Sequence, residues 1–172
     1  MIFPIELIGL ELGILATALF VLVADLILPT ERKSFLGQAA FVGLSLSLIF
    51  HGAMVGHTGA LFNGTYVKDS FAWFYQLICG GAALVAIASS RHMVSGLLRG
   101  RGEFYILILL ALLGMNLLVS SRDFLILFIA VELMTISFYV MTAYLRQEPR
   151  SVEAGLKYLI LGGLASATLV FG

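Results

Sequence analysis

The chain has 172 residues, 60% hydrophobic and only 12% charged, with ten basic side chains balancing ten acidic ones. Soluble domains carry about 25% charged residues, so half that share points to lipid as the main solvent. With zero net charge and no large basic cluster, nothing marks a nucleic-acid surface. The one cysteine, Cys79, lies in an apolar run without an intrachain partner and reads as a small core residue. Near the N-terminus stand Glu6 and Glu11 in place of the basic region of a secretory signal, so this stretch reads as a membrane helix.

Turn residues and charges separate six hydrophobic segments, each long enough to be read as a membrane-spanning helix. The first covers residues 5–28 and stops at Pro29, ahead of Thr30, Glu31, Arg32 and Lys33. The second covers residues 35–55 and runs out into Gly56, His57, Thr58 and Gly59. A loop through Asn63, Gly64, Lys68 and Asp69 leads to the third, residues 70–90. A basic connection from Arg91 to Glu103 precedes the fourth, residues 104–121, which turns through Arg122 and Asp123 into the fifth, residues 124–145. Arg146 to Arg150 then lead into the sixth, residues 151–172. No connection resembles a domain linker, so residues 1–172 read as a single membrane domain. Open strand edges cannot be satisfied in lipid, which makes the fold class an all-α bundle of six transmembrane helices.

Orientation follows from the loop lysines and arginines. The connections after the odd-numbered helices hold Arg32, Lys33, Arg91, Arg99, Arg101, Arg146 and Arg150, against only Lys68 and Arg122 after the second and fourth. This asymmetry predicts cytoplasmic odd-numbered loops and an external N-terminus. Tyr66, Trp73 and Tyr75 then fall near the outer interface, where amphipathic aromatics are favoured.

Between Phe124 and Leu145 the only charged side chain is Glu132, near the middle of the fifth helix. A carboxylate at mid-membrane costs at least ~2.5 kcal/mol, so Glu132 is a functional-site candidate by default. Thr135, Tyr139, Thr142 and Arg146 follow at helical spacing and share its face, a polar stripe suited to one wall of a hydrated half-channel. The alternative is that these hydroxyls only join helices, at ~0.6 kcal/mol per bond, which leaves the carboxylate unexplained.

Lys157 is the second candidate. It stands ~9 Å inside the start of the sixth helix, where an ammonium can snorkel to the headgroups. Against snorkelling stand Gly155, Gly162, Gly163, Ser166 and Ala167, small residues that predict close packing inside a bundle. Arg146 lies ~21 Å along the helix from Glu132, which leaves Glu132 and Lys157 about 12 Å apart in depth and no direct ion pair between them.

The other polar residues signal less. Glu11 and Asp25, near opposite ends of the first helix, read as interfacial. His51 and His57 lack the clustering of a metal site. Asn116 reads as an interhelical hydrogen bonder. No phosphate-binding glycine loop, iron–sulfur cysteine set or haem motif is present in the sequence, so redox chemistry is not assigned to these residues.

The run EFYILILLALLGMNLLVSSRDFLILFIAVELMTISFYVMTAYLR, followed by SVEAGLKYLILGGLASATLVFG, resembles the N subunit of proton-pumping NADH–quinone oxidoreductase (complex I). That family is related to mitochondrial NADH dehydrogenase subunit 2 and to the other antiporter-like subunits. The combination of LGM-N-LLVSS-RD, VELM-T-SFYV and EAGLKY-ILGG-ASA carries the resemblance, which is most specific from Glu103 to Gly172.

By that resemblance, Glu132 corresponds to the fifth-helix glutamate of the family's proton path and Lys157 to the lysine of its sixth-helix EAxxKY motif, which makes both the expected proton-translocation residues, with Thr135, Tyr139 and Thr142 of the helical stripe as a possible polar path. It also implies no cofactor in this chain. NADH, flavin, iron–sulfur clusters and quinone belong to other subunits, and the partners are other complex I membrane subunits and the lipid of a bacterial inner membrane. The family fold has about fourteen helices and the usual lysine partner of the glutamate lies beyond the sixth, so the chain is expected to be an N-terminal part that does not pump alone. Two alternatives stand beside this one: a subunit of a multisubunit cation/proton antiporter, and a structural membrane scaffold.

Overall fold

The computed structural model describes residues 5–29, 33, 35–95 and 101–172, the side chains of Ile5, His92, Met93, Ser95 and Arg101 excepted. Six helices make up the fold: α1 Ile5–Ile27, α2 Phe35–Ala53, α3 Ser70–Ser95, α4 Arg101–Ser120, α5 Phe124–Thr142 and α6 Pro149–Phe171. All six are long and apolar enough to cross a membrane. The all-α membrane class and the six segments are therefore as expected. Of the basic residues used for orientation, Arg32 and Arg99 lie outside the described residues, as does the side chain of Arg101.

Helix ends follow local chemistry. The Asp123 carboxylate caps α5, accepting from the backbone N–H of Leu125 at 2.9 Å and Ile126 at 3.4 Å. Pro149 opens α6, where its missing N–H costs nothing. Helix α3 runs five residues past the expected end at residue 90, and α4 begins three before residue 104. Charged residues continue a helix readily once it leaves the apolar layer, so hydropathy underestimates both. At the other extreme α5 stops at Thr142, where the Ala143 N–H turns back to the carbonyls of Tyr139 and Met141. Arg146 therefore stands in the turn to α6 and does not extend the helical stripe of Glu132.

One element was not foreseen. Between α2 and α3 the chain forms an antiparallel hairpin, β1 Gly59–Leu61 and β2 Tyr66–Lys68, with Leu61 opposite Tyr66 and Gly59 opposite Lys68. Phe62, Asn63 and Gly64 turn it with positive φ values of 51°, 57° and 88°. Asn and Gly are the residues that take this conformation most readily. The hairpin docks on the α4–α5 turn, where the Arg122 N–H donates to the Thr65 carbonyl at 2.8 Å. Arg122 also pairs with Asp69 at 2.9 Å on the exposed side.

The main core joins α1, α2, α3 and α4 through Leu10, Ile14, Leu36, Leu44, Ile87, Leu109 and Leu112, all essentially inaccessible. Helix α4 also packs on α5, and α5 on α6. At the α4–α5 crossing a Cβ on Gly114 would lie 2.8 Å from both the Ala130 carbonyl oxygen and the Met134 nitrogen. Backbone cannot retreat as a side-chain tip does, so Gly114→Val is expected to cost about 1–3 kcal/mol or more by overpacking. Gly163 faces open space, and Gly163→Ala is its control. Thermal unfolding of the purified full-length protein separates the two, and an equal effect of both would contradict the close crossing.

Helix α6 differs from expectation. Its small residues predict an interior helix, yet it packs on α5 and is otherwise exposed, with Gly155 its one buried residue. Only the side turned to α5 uses the small residues: a Cβ on Gly155 would meet Ala143, and one on Gly162 would land on the Tyr139 hydroxyl.

Candidate functional site

The sequence candidates gather along α5 and α6 but do not form one cluster. Glu132 is half-buried, and its Oε1 is shut in with no hydrogen-bond partner among the described residues. Thr135 Oγ1 donates to the Glu132 carbonyl at 3.3 Å and Thr142 Oγ1 to the Phe138 carbonyl at 2.8 Å. Both hydroxyls are thus spent on their own helix. Tyr139 is buried, its ring edge-on to Tyr158 at 4.8 Å and its hydroxyl against Gly162. Seven residues separate it from Glu132, so the two share a face. That face borders α6.

Lys157 lies elsewhere. Its side chain is 69% exposed and its ammonium pairs with Glu153, one turn earlier on α6. Gly155 faces Ala143 and Gly162 faces Tyr139, so the antiparallel seam sets Lys157 near the end of α5. Glu132 is then about 15 Å deeper, at 1.5 Å of rise per residue. The absence of a direct ion pair between them is as the depth argument expects. Between α5 and α6 lies an open cleft of about 440 Å³, lined by Tyr139, Tyr144, Arg146, Val152 and Leu156 among others. Its wall is almost wholly apolar, with Arg146 at its rim, so the five-residue polar wall expected from the sequence is not built by this chain.

A second polar cluster sits at the other end of the molecule, around Glu11, which the sequence predicts to be interfacial. Glu11 is 7% exposed. Its Oε1 accepts from the Tyr66 hydroxyl at 2.7 Å and from Gln76 Nε2 at 2.8 Å. Gln76 Nε2 also donates to Ser120 Oγ at 3.0 Å. The hairpin roofs the cluster: Lys68, 2% exposed, donates from Nζ to the Glu6 carbonyl at 3.3 Å. Burial lowers the Lys68 pKa, and the Glu11 charge opposes that fall. Burial and the same charge push the Tyr66 phenol up, so it stays protonated. Tyr66 is therefore a buried structural residue, and Glu11 is closed off from the water and headgroups expected to reach it. Distance from a helix end, which places Glu11 within reach of water, ignores a hairpin folding back over that end.

Asp25 does lie at its helix end, 3.0 Å from Lys33 and accepting from the Gly102 N–H at 3.3 Å. His51 is buried, donating from Nε2 to the Trp73 carbonyl at 3.2 Å, while Trp73 Nε1 donates to the His51 carbonyl at 3.1 Å. Neither amide atom of Asn116 has a partner among the described residues, against the interhelical bond expected of it.

The comparisons with known proteins speak to the whole chain. Residues 121–172, which hold Glu132 and Lys157, match the family model described as "NADH:quinone oxidoreductase/Mrp antiporter, TM". NADH-quinone oxidoreductase subunit N of Desulfitobacterium hafniense is 37% identical over 174 residues, covering 100% of this chain and 35% of the relative. Subunit N of Desulforamulus reducens is 34% identical, covering 99% of this chain and 36% of the relative. A chain in the structure of respiratory complex I from Thermus thermophilus with bound aureothin superposes with a TM-score of 0.77 and 27% identity, over 94% of this chain and 35% of that one. The chain belongs to the NADH-quinone oxidoreductase subunit N family. It spans about a third of the length of those subunit N relatives. Helices α5 and α6 carry the part that matches the antiporter model, while the Glu11 cluster lies in the preceding helices, outside that match.

Proposed function

We infer that the chain supplies the first six helices of a non-redox, proton-translocating membrane subunit of an NADH–quinone oxidoreductase in a bacterial inner membrane. The observation that carries this reading is Glu132, a carboxylate in an apolar span with one oxygen buried and unpaired. A buried carboxylate without a fixed counter-charge responds strongly to cations moving nearby, which suits it to take up and release a proton. On this reading Lys157, exposed on α6 toward the end with the odd-numbered loops, serves the cytoplasmic side of the route. Tyr139 lies between the two levels, and Thr135 and Thr142 flank it. Residues 1–172 act as one membrane domain packed against further antiporter-like subunits. NADH, flavin, iron–sulfur clusters and quinone reside in other subunits.

Deleting the gene for the full-length subunit tests this reading. NADH-driven acidification of inverted membrane vesicles should be lost and should return with the wild-type gene. Intact NADH-driven pumping together with lost cation/proton exchange would overturn it in favour of an antiporter subunit.

A further inference from the structure

The Glu11 cluster leaves several polar atoms without partners although little solvent reaches it. Glu11 Oε2, Gln76 Oε1 and both amide atoms of Asn116 are buried and unpaired among the described residues. Gln76, Asn116 and Ser120 are fully inaccessible, so no outside group reaches them. The Glu11 carboxyl and the Gln76 amide already touch through Oε1 and Nε2, so their two free oxygens belong to neighbouring groups. Asn116 stands one turn below Ser120 on the same face of α4, and the Ser120 hydroxyl already meets Gln76. Each unpaired buried polar group costs about 1–3 kcal/mol, and four such atoms together far exceed what a stable fold leaves unsatisfied.

We propose that Glu11, Gln76 and Asn116 enclose a hydrated chamber that holds internal water and a proton exchangeable at the Glu11 carboxyl. A single water molecule has the valence to meet three of the four atoms. It donates one hydrogen to Glu11 Oε2 and the other to Gln76 Oε1, and accepts from Asn116 Nδ2. Protonation adds one proton from bulk solvent: the internal water gives a hydrogen to Oε2 and takes one in return, Oε2 then donates in place of accepting, and the water re-orients, with no bond to carbon changed. The titratable groups facing Glu11 are Tyr66 and Lys68 on β2, with His51 of α2 on the far side of Lys68 and Glu6 on its own helix. Gln76 on α3 and Ser120 and Asn116 on α4 do not titrate. Lys68 closes the chamber toward the hairpin end and supplies the only buried ammonium beside it among the described residues. The chamber stands at the end of the molecule opposite Lys157 and does not depend on the role of Glu132.

The full-length protein in its native membrane assembly tests this directly. A high-resolution map of that assembly should show water density between Glu11 and Gln76. Infrared difference spectra across a pH titration should show a carboxyl carbonyl band that vanishes in Glu11→Gln, a variant that keeps the shape of the side chain. A dry chamber, or identical carboxyl bands in wild type and variant, overturns the proposal. Should Glu11→Gln fail to assemble, Asn116→Leu decides, because it replaces the deepest polar wall by an apolar side chain of similar size. Loss of the water density in that variant supports the chamber, and unchanged density refutes it.

Discussion

Glu11→Leu is expected to destabilise the full-length protein by about 3–5 kcal/mol, the scale on which a buried charge suffers when a nearby buried charge of opposite sign is removed. The carboxylate is the shared acceptor for Tyr66 and Gln76, and its charge is what offsets burial of the Lys68 ammonium. Removing it takes the shared acceptor from the Tyr66 phenol and the Gln76 amide, which keep only the Leu7 carbonyl and the Ser120 hydroxyl, and leaves the buried Lys68 without its compensating charge. Glu11→Gln keeps an acceptor for Tyr66 but still removes the charge beside Lys68, so it should cost less than Glu11→Leu and more than the ~1 kcal/mol of one altered hydrogen bond. The double variant Glu11→Leu/Lys68→Met removes both charges and should recover much of the loss, because an apolar replacement of a whole buried pair is often tolerated. Thermal unfolding of Glu11→Leu, Lys68→Met and the double variant beside the wild type gives the coupling between the two positions. Additive effects would show that Glu11 and Lys68 do not sense each other.

How much of this was written in the sequence depends on the length scale of the signal. The six spans are legible because about 20 apolar residues have one physical use, and the structure moves their ends by only a few residues. Where it moves them most, at Ser95 and Arg101, charged residues extend a helix past the apolar layer that hydropathy measures. Glu132 stood out because a charge is rare at the centre of a span. The fate of Lys157 was not legible, since small residues along α6 say that something packs closely but not which side does so. Here Gly155 and Gly162 face α5, and Lys157 points away.

The Glu11 cluster carries a signal that was available. Glu11 and Gln76 each stand six residues into helices that start at the same end, Ile5 and Ser70, so they share a depth. Two polar side chains at one level of a bundle deserve pairing in thought, as a charge at mid-span does. The covering hairpin was harder to foresee. Three-residue strands around Phe62–Gly64 have too little periodicity to stand out from a loop.

The second large effect is expected at Glu132. Glu132→Gln preserves the volume and polarity of the side chain and removes only its ability to change charge. Oε1 is already unpaired in the wild type, so the amide strands no established partner and the fold should stand. Loss of a positioned acid–base group typically slows proton transfer by ~10²–10⁴. Parallel routes in other subunits would carry what remains, so the measured fall should be smaller, about tenfold. Glu132→Asp, with the carboxylate drawn back by one methylene, should fall between the two.

The decisive measurement is the proton yield per NADH oxidised in sealed inverted vesicles carrying full-length Glu132→Gln at wild-type assembly levels. A loss of coupled proton uptake of about that size is the result expected if Glu132 carries the proton. Wild-type yield and wild-type rate, in an assembly of normal abundance, would contradict it.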